Sequence, residues 1–361
     1  MNKLRVGITG ITGYVGSQVW RHFLEKGTHI GKHWFFSILL NLNHIVRGSV
    51  RSATNDKYLD PLREAFGDKF DDLELFEADL TNKDSIYEFV KDCEYIIHVA
   101  SPFPEVDKKI DEEEIMKPAV DGTLNVLKAA QEYKVKRVVC TSSLQTVRGR
   151  TVEDKIYTED DMPAPEDAFN LYGKSKILAE MESWKLIEQQ SDDEHRIEIV
   201  TLHPGGIIGP TLLKNKPFTS MEMIKKCFTG EYPALPYIST SFTDVRDLAE
   251  VHYNALSCPP NQRYIVANEP FFMTEVAEWM AEDFIDSGYG PTTRKLPYFL
   301  AYIGSYFNPG LSASISIWGK RIEFDNNKAK KDLGYNPTPV RESVSDMIKS
   351  LIKQGYIEDR S

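Results

Sequence analysis

The chain has few cysteines, no long apolar run and no surplus of basic charge, and each shortage excludes a class of protein. Its four cysteines, Cys93, Cys140, Cys227 and Cys258, lie far apart and include no C-x-x-C pair. Neither a disulfide framework nor a thiolate zinc site is suggested, no other metal-site spacing is visible, and a reducing, cytoplasmic setting fits. The longest apolar stretch, Trp34 to Leu42, is interrupted by Ser37 and Asn41. It is far short of the ~20 residues needed to cross a bilayer, so no membrane span is expected. The N-terminus enters a strand pattern within a few residues, and no leader segment is expected there. With 43 Lys and Arg against 54 Asp and Glu, a net charge of −11, the chain lacks the basic face of a general nucleic-acid binder. Internal repeats and low-complexity segments are absent too. The 361 residues allow two lobes and a sizeable core.

What is present starts with a strand over 4–9, the turn Gly10-Ile11-Thr12-Gly13-Tyr14-Val15-Gly16, and a helix over 17–26. Gly10 permits the tight turn, Gly13 lets main-chain N–H groups approach a pyrophosphate, and Gly16 lets helix and strand pack closely. The phosphates then meet a helix N-terminus, where N–H groups lack partners. Thr12, Tyr14 and Val15 share the turn and are expected cofactor contacts with the three glycines.

Beyond it, strands (44–51, 73–77, 95–99, 137–141, 197–202) alternate with helices (56–66, 85–91, 112–133, 172–190). Such alternation predicts an α/β fold, a Rossmann-type doubly wound parallel sheet with helices on both faces. Ligands then belong at the C-terminal strand ends, where Gly10, Ala100, Ser143 and Pro204 fall. After Pro210 the alternation stops and proline and aromatic residues become frequent, which reads as a smaller C-terminal substrate lobe. A capped helix from 242–249 and a strand over 263–266 return to the first lobe. Surface helices are expected over 325–333 and 341–353. The expected division is 1–208 with 239–268 for the NADP-binding domain, and 209–238 with 269–361 for the substrate lobe.

Tyr172 and Lys176 lie one helical turn apart and share a helix face. A nearby ammonium favours tyrosinate and draws the phenol down from its usual value of about 10. Such a pair can give a proton to a carbonyl oxygen while another donor stabilises charge there. Tyr87 and Lys91 match the same spacing, but they sit on an amphipathic segment whose Ile86, Phe89 and Val90 form the buried face. Tyr172 instead opens a helix after the long loop that follows Ser143, so Ser143, Tyr172 and Lys176 can converge at one rim of the sheet. His98 reads as a satisfied core histidine.

The glycine turn, Thr141-Ser142-Ser143, Tyr172-Gly173-Lys174-Ser175-Lys176 and the run from His203 to Pro210 together resemble an extended short-chain dehydrogenase/reductase of the dihydroflavonol-reductase-like group, within the NAD-dependent epimerase/dehydratase superfamily. The likeness covers nearly the whole chain. It implies that Ser143, the last residue of the T-S-S run, is catalytic with Tyr172 and Lys176, although by its chemistry alone Ser142 is equally suitable. It also implies cofactor contacts from Tyr172 and Lys176, from Asp79 and Leu80 to adenine, from Val99, Ala100 and Ser101 along the nicotinamide ribose, and from Pro204 and Ile207 to the nicotinamide. Two departures bear on substrate: Arg148 stands where flavonoid reductases carry Asn, and Ala168-Phe169-Asn170-Leu171 replaces the N-W-Y-C run of the cinnamoyl-CoA branch. Neither plant substrate class is supported.

Arg51, after the second strand, and Lys57 stand where an acidic residue would mark NAD; cations there accommodate the 2′-phosphate, so NADP is expected rather than NAD. The leading functional expectation is an NADP-dependent carbonyl reductase or alcohol dehydrogenase acting on a small-molecule carbonyl or alcohol, as a monomer or homodimer. A nucleotide-sugar epimerase or dehydratase, and a non-catalytic NADP-binding regulator, are the competing classes.

One stretch is foreign to this plan. Residues 31–45 place an apolar insertion where a helix-to-strand connection usually takes a few residues. Gly31-Lys32 can be encoded GGT-AAG and Ile45-Val46 ATA-GTN, which contain splice donor and acceptor sequences; excision would restore Val and join Ile30 to Val46. The segment therefore reads as a retained intron, with a surface flap that touches a partner or a membrane as the alternative.

Overall fold

In the computed structural model, which describes residues 4–28, 44–101, 112–191, 195–214 and 218–360, strand β1 (Arg5–Thr9) sits inside a seven-stranded sheet. It pairs in parallel with β2 (Ile45–Val50) on one side and β4 (Tyr95–His98) on the other. β3 (Leu73–Glu77) extends the first side, and β5 (Arg137–Thr141), β6 (Glu198–Pro204) and β9 (Gln262–Val266) extend the second. The order is β3-β2-β1-β4-β5-β6-β9, all parallel. Winding reverses between β1 and β4, and the crevice at their C-terminal ends is where such sheets bind ligands.

Helix starts follow the caps that the sequence supplies. Asn55 accepts from the Lys57 N–H before α2 (Asp56–Phe66), and Asn82 from Ser85 before α3 (Lys83–Val90). Asn170 accepts from Gly173 before α5 (Leu171–Glu188), and Asp244 from Arg246 before α7 (Val245–Asn254). Each such cap is worth about 1 kcal/mol. Helices α1 (Tyr14–Thr28) and α4 (Glu112–Glu132) complete the Rossmann layers. Ile8, Ile97, Val139 and Val200 are fully buried in the sheet. Trp20 of α1 lies on Phe66 at 4.0 Å and Phe23 meets Tyr253 edge-on at 4.9 Å. Full burial of side chains of this size contributes roughly 2–3 kcal/mol each.

A second sheet orders β10 (Pro270–Phe272), β8 (Ser239–Asp244) and β7 (Gly206–Ile208). The expected boundaries at 208 and 239 fall at the end of β7 and the start of β8, and the one after 268 lies between β8 and its partner β10. The remaining helices are α6 (Thr219–Phe228), α8 (Met273–Asp283), α9 (Tyr298–Gly304), α10 (Pro309–Ile315), α11 (Asn327–Leu333) and α12 (Val340–Lys353). Gly334 ends α11 in a left-handed conformation, φ 65°. Although α12 is a surface helix, its Val344, Met347, Ile348 and Leu351 form an i, i+3, i+4, i+7 stripe buried in the same core as β1. Of the insertion over 31–45, residues 31–43 lie outside the described residues. Ile45 belongs to β2, and its N–H donates to the Leu4 carbonyl at 2.9 Å.

Candidate active site

Ser143 follows β5 in extended conformation and caps a short 3₁₀ turn, its hydroxyl accepting from the Gln145 N–H at 3.2 Å. Tyr172 lies in the first turn of α5, and a side-chain hydrogen bond joins it to Ser143. One turn further along, the buried Lys176 donates from Nζ to the Thr141 carbonyl at 2.9 Å. The Ser142 hydroxyl points the other way, donating to Glu180 Oε2 at 2.6 Å and lying 3.1 Å from Thr146 Oγ1. The two serines, equal by their chemistry alone, are thus placed differently: Ser142 belongs to a buried network and Ser143 meets the tyrosine.

Burial raises the Tyr172 phenol well above its usual value, and the Ser143 hydrogen bond opposes that shift. The expected lowering by Lys176 is not seen. Its ammonium is turned to Thr141 and stands 6.0 Å from the centre of the Tyr172 ring. Burial also brings Lys176 down to about 8, with Cys140 and Glu180 acting in the opposite sense.

Glu180 was not among the sequence candidates. Burial works against its charge, but His203, Arg263 and the Ser142 hydrogen bond outweigh this and hold it at about 2. Its Oε1 accepts from Arg263 Nε at 2.8 Å and from the Thr201 hydroxyl at 3.2 Å. Arg263 also binds the Asp161 carbonyl at 2.8 Å and the Thr146 carbonyl at 3.0 Å, tying down the loop after β5. Between Lys176 and Glu180 lies a polar cavity of about 30 Å³, lined also by His98, Thr123, Ser142 and Thr201. The available signal was spacing: 172, 176 and 180 share one helix face.

At the glycine turn, Gly10 has φ +71°, and a Cβ on Gly16 would overlap the Gly10 carbonyl oxygen. A Cβ on Gly10 would come within 3.2 Å of Ala100, so the turn and the end of β4 face each other across the crevice. Gly13, Thr12, Val99, Ala100 and Ser101 are partly exposed there, and the first-turn N–H groups of α1 have no helical acceptors. The geometry fits a dinucleotide pyrophosphate. Tyr14 and Val15 are buried; the Tyr14 hydroxyl donates to the Gly209 carbonyl at 2.5 Å, locking the turn to the segment after β6.

Arg51 is exposed at the end of β2, its guanidinium 5.2 Å from the Tyr58 ring centre, and Lys57 is exposed on the first turn of α2. Asp79 accepts from Thr81 N at 2.8 Å and from Thr81 Oγ1 at 2.5 Å. Both bonds fall on Oδ1, so Asp79 caps its own loop. Leu80 packs on Gly122 of α4. Pro204 ends β6 and Ile207 is partly exposed in β7. His98 is satisfied by Thr9 at 2.9 Å and Thr123 at 3.3 Å. Lys91 lies past the end of α3, 3.8 Å from Glu88, away from a shared face with Tyr87.

This sheet order, with a glycine turn after its first strand and Ser143, Tyr172 and Lys176 gathered at its rim, defines a nucleotide-binding Rossmann protein of the short-chain dehydrogenase/reductase kind. More narrowly, the chain belongs to the NAD dependent epimerase/dehydratase family, whose sequence model matches residues 6–267. It is 32% identical to cinnamoyl-CoA reductase CAD2 of Medicago truncatula over 97% of this chain and 96% of that protein. Anthocyanidin reductase of Arabidopsis thaliana is 30% identical over 76% of this chain and 79% of its own length. Among solved structures, yeast methylglyoxal/isovaleraldehyde reductase Gre2 complexed with NADPH superposes with a TM-score of 0.76 at 25% identity, covering 98% of this chain and 100% of that one.

Proposed function

We propose that the protein is an NADPH-dependent carbonyl reductase that converts a ketone or aldehyde to its alcohol, and in the opposite direction a dehydrogenase acting on CH–OH. The observation that carries this reading is the side-chain hydrogen bond between Ser143 and Tyr172, one helical turn from Lys176. Gly10, Gly13, Gly16 and the main chain of Thr12 to Val15 hold the pyrophosphate. Arg51 and Lys57 take the 2′-phosphate, Asp79 and Leu80 the adenosine, and Val99 to Ser101, Pro204 and Ile207 the nicotinamide end. Bound NADPH supplies the hydride. Tyr172 gives its phenol proton to the carbonyl oxygen, Ser143 hydrogen-bonds that oxygen as charge develops, and Lys176, anchored on the Thr141 carbonyl, holds the ribose.

The relatives named as reductases and the NADPH complex of Gre2 support the reading. A nucleotide-sugar epimerase would use an acidic residue where Arg51 stands, and a regulator without chemistry has no use for Ser143, Tyr172 and Lys176 together. Four free, buried cysteines suit a cytoplasmic enzyme, and no helix among the described residues is long and apolar enough to cross a membrane. The test follows NADPH oxidation across a panel of aldehydes and ketones. Turnover of at least one group of carbonyls is expected; none with any member overturns the proposal.

A further inference from the structure

We propose that Arg148 recognises the carboxylate of an oxo-acid substrate, an inference that rests on the reductase reading and names its substrate class.

Two segments meet at the rim of the sheet, the turn after Ser143 and the stretch from Phe169 into the first turn of α5. Ser143 is hydrogen-bonded to Tyr172. Gln145 Oε1 sits against Gly173 so closely that no Cβ would fit. Two residues before α5 begins, the Phe169 ring centre lies 5.5 Å from the Arg148 guanidinium. The turn that carries Ser143 and Arg148 therefore packs on the stretch that carries Phe169 and Tyr172.

Arg148 is half-buried, not a solvated loop charge, and its Nη1 is closed off from solvent with no hydrogen-bond partner. Among the described residues no carboxylate pairs with it. Tyr157 and Asp167 act on it electrostatically, but Asp167 is engaged by Thr151, Oδ1 accepting from its hydroxyl at 2.6 Å and from its N–H at 3.1 Å and Oδ2 from the same N–H at 3.2 Å. Gln145 Oε1, against Gly173, is also buried without a donor. Nearly all buried polar groups in folded proteins are partnered, so two orphans on the turn that follows Ser143 call for a ligand. An unpaired cation in a desolvated place is costly unless an anion arrives. A guanidinium offers a planar fork of donors matched to a carboxylate, and the ring of Phe169 holds it flat.

The test measures kcat/KM with NADPH for 2-, 4- and 5-oxohexanoate and their methyl esters, in the wild type, Arg148→Met and Arg148→Lys. The wild type should favour at least one acid over its ester by about tenfold or more, the gain of a charge-assisted hydrogen bond. Arg148→Met should bring that ratio close to one, and Arg148→Lys should keep part of it. If Arg148→Met does not fold, pentanoate should still compete with the carbonyl substrate of the wild type, and pentanamide should not. Esters and acids reduced alike, a preference that survives Arg148→Met, or equal inhibition by pentanoate and pentanamide overturns the inference and leaves the reductase reading standing. A wild type that reduces no carbonyl overturns both.

Discussion

Ser142 and Glu180 are joined by a 2.6 Å hydrogen bond, and this contact separates the roles of two adjacent serines. Ser142 supports a buried carboxylate; Ser143 is left to face Tyr172. Ser143→Ala should cost about 100-fold or more in kcat, the usual effect of losing a donor to a developing oxyanion, with little change in Tm. Ser142→Ala should instead lose a hydrogen bond to a buried charge, about 1.5–3 kcal/mol of stability. Steady-state rates and thermal unfolding of both variants decide this, and the reverse pattern would assign the catalytic role to Ser142.

Tyr172→Phe removes the proton donor but leaves the ring. Reduction should fall by roughly 10²–10⁴-fold, while NADPH affinity, read by quenching of protein fluorescence, stays near that of the wild type. Near-normal turnover in this variant would sink the assignment.

Arg51→Ala should lower the ratio of kcat/KM for NADPH over NADH by about tenfold, because a cation at the end of β2 pairs with the 2′-phosphate that NADH lacks. Lys57→Ala should act in the same direction and less strongly. A ratio unmoved by Arg51→Ala would refute the cofactor assignment.

Acid should destabilise the fold through its buried histidines. Burial lowers His98 to about 3, and His203 and His252 to about 4, from the usual 6.5. Between pH 6.5 and about 4 the unfolded chain therefore binds more protons than the folded one, so stability rises with pH and is lost as pH falls. Each of these histidines contributes on the order of 3 kcal/mol to that loss. Tm measured from pH 7 to 4 should drop steadily, and His252→Gln should flatten the slope; a Tm independent of pH contradicts the account.

The mature transcript should lack the codons between Ile30 and Val46. In the structure Ile45 bonds to Leu4 at 2.9 Å, and His44 lies edge-on to Phe23 at 5.6 Å. His29-Ile30 repeats that dipeptide, so excision returns the same residues to the start of β2 with the short connection such units use. A chain lacking residues 31–45 should fold and bind NADPH with an unchanged or higher Tm. A message that keeps the segment as its dominant form would refute the intron reading.

Local pattern in the amino-acid order was enough to determine the alternation of strands and helices, the glycine turn and the one-turn spacing of Tyr172 and Lys176. Asn55, Asn82, Asn170 and Asp244 cap helices through neighbours two or three residues away, and the apolar strands are buried on both faces, so each carries its signal within itself. What depends on residues far apart in the chain was decided only by the tertiary structure. Glu180 becomes a buried anion because Arg263, His203 and Ser142 arrive from three strands or strand ends, and that arrival distinguishes Ser142 from Ser143. The Tyr14 side chain is held by a carbonyl 195 residues later. Arg148, which has the composition of any surface charge, is desolvated because Phe169 closes over it. Periodicity is a property of neighbours in sequence, whereas desolvation and charge pairing belong to neighbours in space.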